Sequence, residues 1–166
     1  MNRSMISLAR FQTALGECEI AWSDKGLTKL SLLGDSSSAS GAEPGGAHAE
    51  VPAWVMDAMR RVALHVGGNP QDLSDVPIDT GGIPPFFRRV YEAARTIRPG
   101  QTVSYAELAE LAGSPKASRA VGQALAKNPL CIVVPCHRVL AAGGKIGGFS
   151  APGGTDTKTR LLAIER

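Results

Sequence analysis

Apolar and polar residues alternate, imperfectly, along three short stretches: residues 5–11, 16–23 and 26–33. Ile6, Leu8, Ile20, Trp22, Leu27, Leu30 and Leu32 supply the apolar positions. A period of two predicts strands, and Asp24-Lys25-Gly26 gives a turn between the second and third. The expectation is a β-meander. Residues 34–53 are rich in Gly, Ser, Ala and Pro, which predicts a mobile loop with a solvated His48. A helical period takes over at residues 54–66, where Val55, Met59, Val62 and Val66 share one side, and Gly67-Gly68-Asn69-Pro70 ends it. His65 falls in the last turn, where the helix dipole favours it. Residues 73–78 are expected as a further strand. Gly81-Gly82-Ile83-Pro84-Pro85 is the best domain boundary in the chain.

The second half changes character. Phe86, Phe87, Val90, Tyr91, Ala94 and Ile97 recur at helical spacing over residues 86–97, ended by Arg98-Pro99-Gly100. Ser104-Tyr105-Ala106-Glu107 is a capping box that opens a helix running to about residue 111. Ala112-Gly113 makes a turn. Ser114 as N-cap and Pro115 as first helical residue then predict a second helix to about residue 127. Two short helices around a glycine turn are a helix-turn-helix candidate, although many such pairs bind nothing. Lys116-Ala117-Ser118-Arg119-Ala120-Val121-Gly122-Gln123-Ala124 is mostly small residues around one long cation. Small side chains allow close approach, either to the protein's own core or to a nucleic-acid groove. Ile132-Val133-Val134 predicts a buried strand that stops at Pro135. Gly143-Gly144 and Gly147-Gly148 bracket Lys145-Ile146 as a wing or hairpin leading to Phe149 and Ser150. A last helix covers residues 155–165, with Leu161, Leu162 and Ile164 apolar.

The strand's end carries the chemistry. Cys136, His137 and Arg138 follow Pro135 directly. A thiolate is the nucleophilic form of cysteine, and a free thiol titrates at about 8.5. A neighbouring imidazole and guanidinium are surroundings that lower that value. The alternative is an inert core cysteine. Charge distribution adds a second clue. Residues 1–83 hold six Lys/Arg against ten Asp/Glu, net −4, whereas residues 84–166 hold twelve against five, net +7. A basic half of this size suits a polyanionic partner. Three cysteines, Cys18, Cys131 and Cys136, without a secretory segment argue against a disulfide framework. No apolar stretch is long enough for a membrane span. No Cys or His pair has zinc-finger spacing, so no metal is expected. The resulting expectation is a reduced, cytoplasmic protein.

With these residues in view, the chain resembles the O6-alkylguanine-DNA alkyltransferases, also called methylated-DNA–protein-cysteine methyltransferases. The resemblance is densest over residues 105–149 and extends more loosely over 83–165. Pro135-Cys136-His137-Arg138-Val139 matches the active-site motif. Arg119-Ala120-Val121-Gly122 and Asn128-Pro129 match the helix-turn-helix and the segment joining it to the site.

The resemblance implies an α/β (α+β) fold. Residues 1–82 would be a ribonuclease-H-like, structural β-sheet domain, and residues 83–166 a winged helix-turn-helix-like, mostly helical domain. It implies repair of O6-alkylguanine in double-stranded DNA by one irreversible transfer to Cys136, with no cofactor and no obligate protein partner, by a monomer. O4-alkylthymine stays open as a second substrate. By the same resemblance His137 is a base acting through water, Glu165 orients it, and Tyr105 serves the leaving guanine ring. Asn128 fixes the backbone at the site. Arg119 fills the space left by an extruded nucleotide, with Lys116, Ser118, Ala120 and Gly122 at the DNA surface. Pro135, Val139, Phe149 and Ser150 line the pocket, and Arg138 is structural or electrostatic rather than a base contact. Phe149 replaces a tyrosine of the usual pattern, and residues 151–154 make that segment about two residues longer. Two rivals are a damage-recognition module without chemistry, which Cys136 opposes, and a Cys-His-Glu hydrolase, which would leave Arg119 and the basic half unexplained.

Overall fold

The computed structural model describes residues 5–34 and 50–166. Most of the expected 34–53 loop, His48 included, lies outside the described residues. β1 (Ser7–Thr13), β2 (Gly16–Trp22) and β3 (Leu27–Gly34) form the expected antiparallel meander, in the order β1-β2-β3. Ile20 pairs with Ala9 and Leu30, and Cys18 with Phe11 and Leu32, so this face packs on the core. In β1 the parity is the reverse of the expectation. Ile6 and Leu8 are exposed, and Ala9 and Phe11 pack inward. Successive side chains alternate faces, so pairing with β2 decides which set is buried.

α1 (Ala53–Val66) covers the core with Val55, Ala58, Val62, His65 and Val66. The strand expected at 73–78 is a turn instead. Val76 N–H donates to Leu73 O, and both carbonyls accept from Arg95. The segment meets the sheet at its end, in an isolated bridge of Ile78 to Leu27 made by Pro77 O and Asp79 N–H.

α2 (Pro85–Ala94) starts at the Pro84-Pro85 punctuation and ends three residues before Ile97, which lies in a following turn. The Tyr91 hydroxyl donates to Ala124 O at 2.7 Å, tying α2 to a later helix. β4 (Val103–Ser104) leads into α3 (Tyr105–Leu111), with the Ser104 hydroxyl accepting from Glu107 N–H. Gly113, at φ 81°, closes α3: its N–H reaches Glu110 O and that of Ser114 reaches Ala109 O. This is a Schellman cap, and it uses the Ser114 backbone that was expected to begin the next helix. α4 therefore runs over Ser118–Ala126, with Ala117 as N-cap and no side-chain cap bond.

Residues 132–134 form no strand. Ile132 has φ 72°, rare for a β-branched residue, and Val133 N–H and Val134 N–H bond back to Cys131 O and Leu130 O. Apolar, β-branched composition reported burial correctly but not conformation. β5 (Val139–Leu140) pairs in parallel with β4. The expected wing survives as a small hairpin, where Ala141 N–H donates to Lys145 O at 2.8 Å. α5 (Gly154–Ile164) ends the chain against α1 and the 136–138 turn. Buried side chains from both halves make one core cluster.

Candidate active site

Cys136 opens a single 3₁₀ turn, Cys136–Arg138. The chain reaches it through the buried 130–135 segment, whose polar backbone needs partners. Asn128 supplies them. Its Oδ1 accepts from Leu130 N–H at 2.9 Å, and its Nδ2 donates to Val134 O at 3.0 Å. One amide thus replaces the missing strand ladder.

The three residues of the turn diverge. The Cys136 side chain faces a cavity of about 300 Å³ lined by Tyr105, Gly122, Leu125, Phe149 and Ser150 among others. A second, smaller cavity, about 170 Å³, shares Cys136, Phe149 and Ser150 and reaches Asn128 and Leu32. His137 and Arg138 turn away toward Glu165, the C-cap of α5. His137 Nε2 lies 2.7 Å from Glu165 Oε1, and Arg138 makes a fork, Nε to Oε2 at 2.9 Å and Nη2 to Oε1 at 2.6 Å. Arg138 Nη1 also donates to Ile97 O.

These contacts settle the proton arrangement. Burial pushes the Glu165 carboxyl up, but hydrogen bonds from His137, His65 and Arg138 outweigh it and hold the group well below the usual carboxylate range. A carboxylate only accepts, so His137 Nε2 carries its proton and Nδ1 keeps a lone pair. That Nδ1 is buried and has no hydrogen-bond partner among the described residues. Burial pushes the His137 pKa down against the pull of Glu165, so the ring rests neutral with Nδ1 ready to accept.

The expected effect of His137 and Arg138 on the thiol is corrected. Burial pushes the Cys136 pKa up against an Asn128 hydrogen bond, the charge of Lys158 and the backbone N–H groups of Cys136 and His137, and neither the His137 ring nor the Arg138 charge is among those causes. The Arg138 charge is already met by Glu165. Cys136 therefore rests as a thiol and ionises only as its proton is removed.

Lys158 was not anticipated. It is fully buried, and its Nζ donates to Val139 O at 2.7 Å and Gly148 O at 3.2 Å, pinning β5 to the segment before Phe149. His65 was expected only to favour the dipole at the end of α1. It is fully buried, with Nε2 2.8 Å from Glu165 Oε1. Both had a legible signal: Lys158 falls on the side of α5 that carries Leu161 and Glu165, and His65 follows Val62 by three on α1. The ligand atoms of His65, His137 and Glu165 lie within 4.8 Å of one another. The two imidazole nitrogens on that side are occupied by the protons they share with the carboxylate.

Tyr105, the first residue of α3, lines the larger cavity; burial raises its pKa, so it is a phenol and a donor. Gly122 lines the same cavity from α4. Arg119 stands one turn earlier on that helix, exposed, with Lys116 and Ser118 also exposed and Ala120 half-buried. Phe149 and Ser150 line both cavities. Pro135 and Val139 do not join them. Pro135 lines a separate cavity with Ile132 and Arg138, and Val139 is buried in β5. The 3₁₀ turn sends only Cys136 toward the larger cavity, leaving its flanking residues to the core.

A buried Cys136 beside a cavity, a His137–Glu165 pair behind it and a helix pair with an exposed arginine define a nucleophilic site on a DNA-binding scaffold. Residues 85–166 match the DNA-binding domain of 6-O-methylguanine DNA methyltransferase. The chain is 38% identical over 162 residues to a methylated-DNA–protein-cysteine methyltransferase of Mycolicibacterium paratuberculosis, covering 98% of this chain and 93% of that one. It is 35% identical over 162 residues to the human methylated-DNA–protein-cysteine methyltransferase, covering 91% and 76%. Its fold superposes on the crystal structure of Mycobacterium tuberculosis O6-methylguanine methyltransferase with a TM-score of 0.76 at 34% identity, covering 97% and 93%. A Mycobacterium tuberculosis OGT in complex with DNA gives 0.77 at 34% identity, covering 96% and 92%. The chain belongs to the methylated-DNA–protein-cysteine methyltransferase family.

Proposed function

We propose that this protein repairs O6-alkylguanine in duplex DNA by moving the alkyl group onto its own Cys136, once per molecule. The observation that carries this is Cys136 lining a cavity of about 300 Å³, with the next residue, His137, paired to Glu165. His137 Nδ1 accepts the thiol proton through a water. Glu165 holds the imidazolium that forms, as in other base–carboxylate pairs. The thiolate attacks the alkyl carbon in line, an S–C bond forms, and the C–O6 bond breaks. The electron pair stays on O6, the leaving guanine takes one proton from the Tyr105 hydroxyl, and the proton held on His137 passes through solvent back to Tyr105, so that thiol and O6-alkylguanine become thioether and guanine. A thioether is a poor leaving group, so the sulfur stays capped. No cofactor enters this balance.

The target carbon is inside a duplex, so the nucleotide has to be extruded. α3 and α4 act as a helix-turn-helix. The small residues of α4, Ala120 and Gly122, let it lie close in the minor groove, and Arg119 fills the vacated stack. Lys116 and Ser118 meet the backbone. Residues 83–166 carry both DNA binding and chemistry, while residues 1–82 form the supporting layer. The protein acts as a monomer in the cytoplasm. Intact-mass and peptide analysis after mixing with excess O6-methylguanine duplex tests the reading. One added methyl on the Cys136 peptide is expected. Modification confined to Cys18 or Cys131, or product beyond one equivalent, overturns it.

A further inference from the structure

The site as proposed uses one histidine, yet two converge on Glu165. His65 reaches it from α1, 100 residues away in sequence. Its other nitrogen, Nδ1, accepts from Gln71 N–H at 2.9 Å. A backbone N–H can only donate, so Nδ1 holds the lone pair and the proton is on Nε2, pointing at Glu165. Glu165 Oε1 thus receives three donors: His65 Nε2 at 2.8 Å, His137 Nε2 at 2.7 Å and Arg138 Nη2 at 2.6 Å. Two of these come from the same 3₁₀ turn as Cys136. His65 is the only one of the three from the first half of the chain.

We infer that His65 is a positioning residue for the transfer reaction: it clamps the Glu165 carboxylate from α1 so that Oε1 stays aligned on His137 Nε2–H. This inference rests on the proposed role of His137 as the base for Cys136. The physical reason is geometric. The Arg138 fork fixes the plane of the carboxylate, but both oxygens remain able to slide along the guanidinium edge. A third donor from a different element removes that freedom. An aligned carboxylate stabilises the imidazolium as it forms; a loose one does so less well, because its charge is not aimed at Nε2–H. The Gln71 N–H in turn holds the His65 ring, so a turn following α1 is part of the support of the site.

Other groups around the two reacting centres are unchanged by altering His65. Glu165 is faced by His137 and Arg138 from the 136–138 turn. Cys136 is faced by Tyr91 of α2, Tyr105 of α3, Asn128, Cys131 and Lys158 of α5.

The test uses the full chain and three proteins: the unaltered one, His65→Phe, which keeps a planar ring and loses the donor, and His65→Gln, which restores an N–H near the Nε2 position. The rate of methyl transfer from O6-methylguanine duplex and the rate of Cys136 carboxymethylation by iodoacetate are followed against pH. The Phe variant should react about tenfold more slowly at pH 7 in both assays. Its pH profile should move to higher pH, and the Gln variant should return most of the way. A Phe variant with an unchanged profile, or one that differs only in melting temperature, shows a merely structural role and overturns the inference. Absence of transfer by the unaltered protein would instead sink the proposed function. If the Phe variant fails to fold, ¹⁵N-histidine NMR of the unaltered protein decides. An Nε2–H, Nδ1-acceptor signature for His65 is required, and the opposite tautomer overturns the clamp.

Discussion

Arg138 gives its guanidinium to Glu165 and none of it to the neighbouring Cys136: both nitrogens of the fork sit within 2.9 Å of the carboxylate oxygens. The pair is buried on both sides. It couples the turn that carries the nucleophile to the end of the last helix.

Breaking this pair should be costly. Glu165→Gln leaves a buried guanidinium without its counter-charge, for which about 3–5 kcal/mol is usual. The pH dependence has a definite sign. The folded-state pKa of Glu165 lies below its unfolded value, so its contribution is complete above about pH 4.3. It is lost as pH falls from there toward the folded value. Urea denaturation from pH 7 to pH 3 should show a steep loss for the unaltered protein and a shallower one for Glu165→Gln. Parallel curves would contradict the assignment.

Asn128→Ala should unsettle the approach to Cys136. It strands Leu130 N–H, and leaves Val134 O with the Cys136 N–H alone, in a segment buried from residue 130 to 139. The cost should be about 1–3 kcal/mol in urea denaturation. Loss of the Asn128 hydrogen bond should also move Cys136 carboxymethylation to higher pH. A protein as stable and as reactive as the unaltered one would remove Asn128 from both roles.

Arg119→Ala separates extrusion from chemistry. Arg119 is exposed on α4, one turn from the cavity wall at Gly122. Repair of duplex O6-methylguanine should slow by about tenfold or more, ~1.4 kcal/mol of barrier. Transfer from free O6-benzylguanine, which needs no extrusion, should change by less than about twofold. Equal losses in the two assays would place Arg119 in the chemistry or the fold.

Lys158→Met should act on the thiol through charge. Its Nζ is buried, and its positive charge is among the factors that lower the Cys136 pKa. The Met variant should need higher pH for the same carboxymethylation rate. It also strands Val139 O and Gly148 O, so the melting temperature should fall. An unshifted profile would leave Lys158 with the packing role alone.

DNA affinity should fall steeply with salt. Lys116, Arg119, Lys127 and Lys145 are exposed, whereas Arg138 and Lys158 are buried and take no part. Each phosphate contact removed, for example by Lys116→Ala, should reduce the log–log slope by about 0.9. Fluorescence anisotropy across a salt series measures this, and a slope that Lys116→Ala leaves unchanged would free that residue of phosphate contact.

The sequence by itself determined the meander, the main helices, and Cys136 at the end of a buried run, while Tyr105, Asn128 and Arg119 were named for the site by the family resemblance alone. Periodicity and turn residues carry that information, because they record which side of a local element avoids water. It did not determine that residues 132–134 are a folded-back loop, that α4 starts at Ser118, or which parity of β1 faces inward. In each case specific hydrogen bonding overrode the apolar pattern: the Asn128 amide, the Schellman cap at Gly113, and the register against β2. Nor could the local pattern place His65 on Glu165. A buried histidine and a buried carboxylate each announce a need for a partner, but only the packing of α1 against α5 decides that they satisfy one another.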